Sequence, residues 1–142
     1  MEIICRPLQQ GEYASAAKLE QECLNTAWSE DQIANIPENA YYIGAFDGNE
    51  LCGIGSAYFV LDECQVMNIA VSPQYRKKGV GTRIMNEIIN KSLEKNCVFI
   101  SLEVAEDNIS AIALYEKSDF VAIGKRKNFY GTTSALIMEK SL

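Results

Sequence analysis

Three places in the chain hold residues whose types and spacing could do chemistry. Glu103 is a carboxylate inside an otherwise apolar run, Val98-Phe99-Ile100-Ser101-Leu102-Glu103-Val104. Charged side chains are seldom buried without a reason. Glu103 therefore reads either as an exposed strand-end glutamate or as a general base, acting directly or through water. A buried position would raise its carboxyl toward neutrality. Tyr115, farther along, is a phenol that either fills a core position or donates a proton. The third place is Arg76-Lys77-Lys78-Gly79-Val80-Gly81-Thr82, which follows the apolar run Met67-Asn68-Ile69-Ala70-Val71 and opens an amphipathic segment. It reads as a strand, a tight basic turn and a helix N-terminus. The first-turn N–H groups of a helix have no partner within it and carry the positive end of its dipole. Two glycines let a ligand come close. The combination is an anion site, most often for phosphate.

Other chemistries are excluded by what is missing. The chain has no histidine. That removes Ser-His and Cys-His pairs, and with them the commonest metal ligand, and no metal is expected. Five cysteines, Cys5, Cys23, Cys52, Cys64 and Cys97, are odd in number, widely spaced and without a Cys-x-x-Cys, so neither a disulfide framework nor a zinc site is expected. The Gly-x-Gly is not a Walker loop, because no Gly-Lys-Ser/Thr follows, and it lacks the third glycine of a dinucleotide fingerprint. A net charge of −6 argues against nucleic acid and suits a basic partner, or only solubility. No apolar run approaches the ~20 residues that span a bilayer, and the N-terminus has no secretory signal pattern. The expectation is a cytoplasmic protein.

Those residues need elements to hold them. Residues 2–6 are a short β-branched strand ended by Pro7. Apolar or small residues at Tyr13, Ala16, Ala17, Leu19, Glu20 and Cys23 predict a helix over 10–25. Ser29 with Gln32 is a capping-box pattern for a second helix, ended or bent by Pro37. Residues 40–46, 50–61 and 64–71 read as an antiparallel meander turned at Asp47-Gly48-Asn49 and Asp62-Glu63, with Gly53 and Gly55 marking a close approach or a bulge. Residues 79–96 form the clearest helix, with Val80, Ile84, Ile88, Met85, Ile89 and Leu93 as its apolar stripe. A strand follows at 97–104. Asn108 caps a helix through Lys117, and a final pair of strands spans 120–129 and 134–140. The order predicts one α+β domain over residues 1–142, with a mixed, mostly antiparallel sheet of about seven strands flanked by four helices.

The run Arg76–Gly81, the preceding Asn68-Ile69-Ala70-Val71 strand, Leu102-Glu103-Val104, Asn108 and Ala113-Leu114-Tyr115-Glu116 resemble the GNAT (GCN5-related) N-acetyltransferases. Within that superfamily they are most similar to the RimI-like ribosomal-protein-alanine acetyltransferases. The resemblance covers most of the chain and is strongest from Met67 to Tyr130. It implies a GNAT-type fold and an acetyl-CoA-dependent N-acetyltransferase. The acceptor it implies is a protein N-terminal α-amine, such as the N-terminal alanine of a ribosomal protein. Arg76, Lys77, Lys78, Gly79, Val80, Gly81 and Thr82 would hold the pyrophosphate. The backbone of Ile69, Ala70 and Val71 would bind the pantetheine arm, provided the strand splays from its neighbour and leaves N–H and C=O groups free. Asn108 would touch the coenzyme as well as cap its helix. Glu103 would be the proton acceptor and Tyr115 the donor to the departing thiolate. Trp28, otherwise a core aromatic, and Tyr130 would flank the acceptor groove.

The chain departs from the relatives' pattern at Asp119, where they have glycine; Asp tolerates a left-handed turn. Thr133 and Ser134 stand where acidic residues are usual, and the loop there is shorter. Two rival readings stay open: an acetyltransferase for a small amine such as a polyamine, amino acid or aminoglycoside, and a non-catalytic acyl-CoA-binding domain. Cys64 or Cys97 could in principle form an acetyl-enzyme, but neither has a base beside it in the sequence. A monomer or weak dimer is expected.

Overall fold

The computed structural model describes residues 1–142, apart from the side chains of residues 128–130. Their order is β1 (Ile3–Pro7), α1 (Tyr13–Cys23), α2 (Glu30–Ala34), β2 (Ala40–Asp47), β3 (Glu50–Val60), β4 (Glu63–Val71), α3 (Val80–Glu94), β5 (Phe99–Ala105), α4 (Ile109–Lys117), β6 (Val121–Tyr130) and β7 (Thr133–Ser141). A 3-10 turn, Pro73–Tyr75, joins β4 to α3. One seven-stranded sheet runs β1-β2-β3-β4-β5-β7-β6, and every neighbouring pair is antiparallel except β4 with β5. This is the expected mixed α+β sheet with its four helices.

Local chemistry sets the boundaries. Ser29 caps α2: its Oγ accepts from Gln32 N at 3.2 Å, and Gln32 Oε1 accepts from Ser29 N at 2.8 Å, which satisfies two otherwise unpaired donors. The first helix is shorter than its pattern suggested. Gly11, at φ +94°, and Glu12, which stands outside the helix as its N-cap, delay its start. After α4, Asp119 takes φ +70°, the left-handed turn that Asp was expected to tolerate there. The stripe on α3 differs at its end. Val80, Ile84, Met85 and Ile88 are buried, but Leu93 is 53% exposed. The i+4 series from Val80 reaches Ser92 instead, which is buried and donates from Oγ to Ile88 O at 2.7 Å. Gly53 and Gly55 mark the close approach of α3: a Cβ at Gly53 would stand 2.9 Å from Ile84 Cδ1, and one at Gly55 would also strike Ile84.

The sheet buries a core on each face. Ile43, Val66, Ile84, Ile88, Ile100 and Leu102 belong to the core on the α3–α4 side. Leu19, Ile33, Tyr42, Ile54 and Ala70 belong to the one on the α1–α2 side. Strand β4 serves both because of a bulge. Ala57 stands opposite Val66 while Ser56 stands opposite Asn68, which leaves Met67 as the extra residue. Cys64 and Val66 therefore point toward α3, whereas Ala70 points toward α1, and Ile69 and Val71 pack on the α3 side. Strict alternation would have put Cys64, Val66, Asn68 and Ala70 on one face.

Candidate active site

The parallel ladder between β4 and β5 is short. Among the described residues it pairs Glu63 with Phe99, Cys64 with Ile100 and Gln65 with Ser101, and then stops. Beyond that point β4 keeps its bonds to β3, and β5 keeps its bonds to β7. The facing edges of the two strands separate, as the expected role of Ile69–Val71 requires. A groove of about 800 Å³ opens there. Its walls are the end of β4, the start of α3 and one side of α4.

Most of the expected coenzyme residues meet in this groove: Ile69, Ala70, Val71, Arg76, Lys77, Gly79, Val80, Gly81, Thr82, Asn108 and Tyr115 all line it. The first turn of α3 has no side-chain cap, so its N–H groups face the groove as donors. The two glycines have different reasons. Gly79 sits at φ +83° as the N-cap, where a Cβ would meet nothing but the backbone would be strained. At Gly81 a Cβ would stand 3.1 Å from Leu114 Cδ2, so glycine lets α3 lie against α4. Asn108 caps α4, with Oδ1 accepting from Ala111 N at 3.2 Å. Two placements differ from the expectation. Lys78 is not in the groove wall; its ammonium lies 5.7 Å from the centre of the Tyr75 ring. The carbonyl of Val71 is not free, because Arg76 Nε donates to it at 3.1 Å. Arg76 therefore faces the groove with part of its guanidinium already engaged.

Tyr115 and Glu103 lie on opposite faces of the sheet. Tyr115 is buried in the α3–α4 core with Leu102 and Val104, its ring 6.0 Å from that of Phe120. Glu103 alternates with those two residues and so projects toward the α1–α2 side. It is half-buried rather than enclosed, and Arg126 Nη2 stands 2.7 Å from its Oε1. The enclosed position considered for it is therefore not found. Ser101, two residues before on the same face, donates to Glu63 Oε2 at 2.5 Å. Trp28 is on this side too. Its ring lies 6.2 Å from Tyr42 and 6.3 Å from Tyr58, and it borders a smaller cleft with Gln32, Asn35, Pro37 and Tyr58. The side chain of Tyr130 lies outside the described residues.

The cysteine route finds no support in the geometry. Cys64 is fully buried and its thiol is pushed up to about 11, chiefly by burial. Burial raises Cys97 as well. A thiol held protonated in a core is a poor nucleophile.

The sequence reading missed Glu20, Cys23, Leu24, Ser110, Ala111 and Lys117. The last five line the groove. Cys23 and Leu24 reach it from the end of α1, which no local pattern foretold. Glu20 is fully buried and accepts from Trp28 N at 2.9 Å and from Tyr42 Oη at 2.5 Å. Burial first, and then the bond to Glu20, hold the Tyr42 phenol well above its usual range. The signal was a carboxylate in an apolar phase of α1.

The model of the acetyltransferase (GNAT) family matches residues 7–120. The ribosomal protein bS18-alanine N-acetyltransferase of Escherichia coli strain K12 is 31% identical over 127 residues, which are 89% of this chain and 86% of that protein. The crystal structure of the ribosomal-protein-S18-alanine N-acetyltransferase from Escherichia coli matches with a TM-score of 0.88 at 28% identity, covering 99% of this chain and 94% of that one. The crystal structure of Arabidopsis thaliana NAA60 in complex with acetyl-CoA has the same fold, with a TM-score of 0.89 at 18% identity over 99% of each chain.

Proposed function

The chain belongs to the acetyltransferase (GNAT) family, and from that premise we propose that its acceptor is a protein N-terminal α-amine, the N-terminal alanine of a ribosomal protein above all. It is an acetyl-CoA-dependent N-acetyltransferase. The named activity of the Escherichia coli relative supports the choice of acceptor. One observation carries the mechanism. The gap between β4 and β5 joins two sheet faces, with Glu103 on one and Tyr115 on the other.

Acetyl-CoA supplies the acetyl group as a thioester whose sulfur can leave. The first-turn N–H groups of α3, with Lys77 and Arg76, suit its pyrophosphate. The exposed edge of β4 at Ile69 and Ala70 suits its amide-bearing arm. An N–H of that edge can also polarise the carbonyl under attack. The acceptor approaches from the Trp28 side. Glu103 takes the proton of its ammonium, directly or through water. An α-amine of pKa about 7.7–8.0 needs only modest help at neutral pH. From the other face Tyr115 gives its hydroxyl proton to the departing sulfur. A phenol can protonate a thiolate whose pKa is about 8.5. Transfer is direct, since the buried cysteines are poor nucleophiles. Five free thiols suit a reducing compartment, and the enzyme is assigned to the cytoplasm.

The test incubates the purified protein with acetyl-CoA and a hexapeptide that begins with alanine, beside the same peptide with a blocked N-terminus and beside spermidine. The expected result is one acetyl group added to the free peptide only, read by mass. Acetylation of spermidine without the peptide would replace this acceptor with a small amine.

A further inference from the structure

The connection between α1 and α2, residues 24–29, runs from the groove to the smaller cleft. Cys23 and Leu24 at its start line the groove. Trp28 near its end borders the cleft. Glu20 grips both ends by different atoms. Its backbone carbonyl accepts from Leu24 N at 2.7 Å. Its side chain accepts from Trp28 N at 2.9 Å through Oε1 and from Tyr42 Oη at 2.5 Å through Oε2. The Trp28 ring then rests on the Tyr42 ring, which closes the circuit. Glu20 is fully buried, and among the described residues no cation pairs with it. A carboxylate at such a position is costly unless its bonds are needed.

We infer that Glu20 is a positioning residue for the acceptor: its carboxylate fixes Trp28, the wall on the acceptor side, without touching the reacting atoms. This rests on the acceptor approaching from the Trp28 side, as proposed above. The two anchors make the effect one-sided. Replacing the side chain leaves the backbone bond to Leu24 intact, so the coenzyme wall stays in place. Only the Trp28 end is released.

Two substitutions separate positioning from chemistry and from mere stability. Glu20→Gln can keep an oxygen toward Trp28 N and turn its amide toward Tyr42 Oη, which accepts as readily as it donates. Glu20→Leu fills similar space but leaves both donors without an acceptor. Trp28 is the only tryptophan in the chain, so its fluorescence reports the wall directly, with no acceptor present. Glu20→Leu is expected to shift that emission to the red and to raise acrylamide quenching. With the alanine hexapeptide its KM should rise by about tenfold, the size of one lost hydrogen bond to a charged group, while kcat and the acetyl-CoA Kd hold within about twofold. Glu20→Gln should match the parent protein in every reading. Should Glu20→Leu fail to fold, Tyr42→Phe removes one leg of the circuit and should give a smaller shift in emission and KM of the same sign. An unmoved Trp28 emission in the folded variants would overturn the inference. So would a loss of acetyl-CoA affinity equal to the loss in peptide KM, or a dead Glu20→Gln. If the parent protein ignores the peptide, the acceptor reading fails, while the emission still decides whether Glu20 holds the wall.

Discussion

Arg126 and Glu103 are joined across the intervening strand β7, guanidinium to carboxylate, at 2.7 Å. Glu103 stands opposite Ile137 and Arg126 opposite Ala135, so the pair runs diagonally over one face of the sheet. A charge-assisted bond of this kind fixes the orientation of a carboxylate that has torsional freedom. It also sets a rival to the ammonium that Glu103 would meet in the proposed mechanism.

Two variants test this pair. Glu103→Gln should lower kcat/KM by about a hundredfold at neutral pH, with partial recovery at high pH as the amine loses its proton unaided. Arg126→Ala should lower it by about tenfold, because the carboxylate is then less well aimed. Neither should change the Kd of acetyl-CoA, which calorimetry can measure. A parent-like rate in Glu103→Gln would remove this residue from the mechanism.

Tyr115→Phe separates a proton donor from a packing ring. The ring contact with Phe120 survives the change, so the protein should lose about 1 kcal/mol at most, one hydrogen bond's worth. Turnover should fall by about a hundredfold. A melting curve and an initial rate on one preparation give both readings. A stable variant with normal turnover would leave the thiolate to water.

Acetyl-CoA at about a hundred times its Kd should add about 2.7 kcal/mol to stability. Gly81→Glu should abolish that thermal shift, since it sets a negative side chain at the proposed phosphate-binding turn, beside Leu114. The shift surviving in this variant would move the phosphate site elsewhere.

Far from the site, Glu12 gives a pH dependence. Arg6 holds it by two hydrogen bonds, of 2.9 and 2.7 Å, and Gln9 N adds a third. Chiefly through Arg6, its carboxyl is lowered from 4.5 to about 2. A depressed folded-state value stabilises the fold in full above the unfolded value, and the benefit fades as pH falls through the folded one. Glu12→Gln should therefore melt below the parent protein at pH 7, and the gap should close between about pH 4.5 and pH 2. A gap that persisted at pH 2 would contradict the assignment.

The legible parts of this molecule were local. The capping box at Ser29, the phase of Val80–Ile88 and the left-handed turn at Asp119 each depend on neighbours within a few residues. The order of elements followed from such signals, and so did the basic glycine turn. Distant pairings stayed hidden. Nothing near Glu103 announces Arg126, and nothing near Glu20 announces Tyr42, because sheet register decides the first meeting and the packing of α1 on the sheet decides the second. The placement of Glu103 and Tyr115 on opposite faces is likewise decided by how strands and helices pack, not by their neighbours in sequence.

Met67 itself is nearly half-exposed, and its side chain is a minor part of either core. How it is accommodated counts for more than its identity. The bulge takes Met67 out of the strand's alternation, so Ile69 and Val71 face one core and Ala70 the other, as they would if Asn68 followed Val66 directly. Substitution by Ala or Thr should leave the reading frame of the strand intact and cost little. Deletion should leave it intact as well, because the regular ladder that results keeps every later residue on its face. One further residue inserted beside Met67 and taken into the ladder would instead turn Ile69 and Val71 toward α1 and Ala70 toward α3. Expression and melting of the deletion and of the insertion beside Met67→Ala would show the contrast.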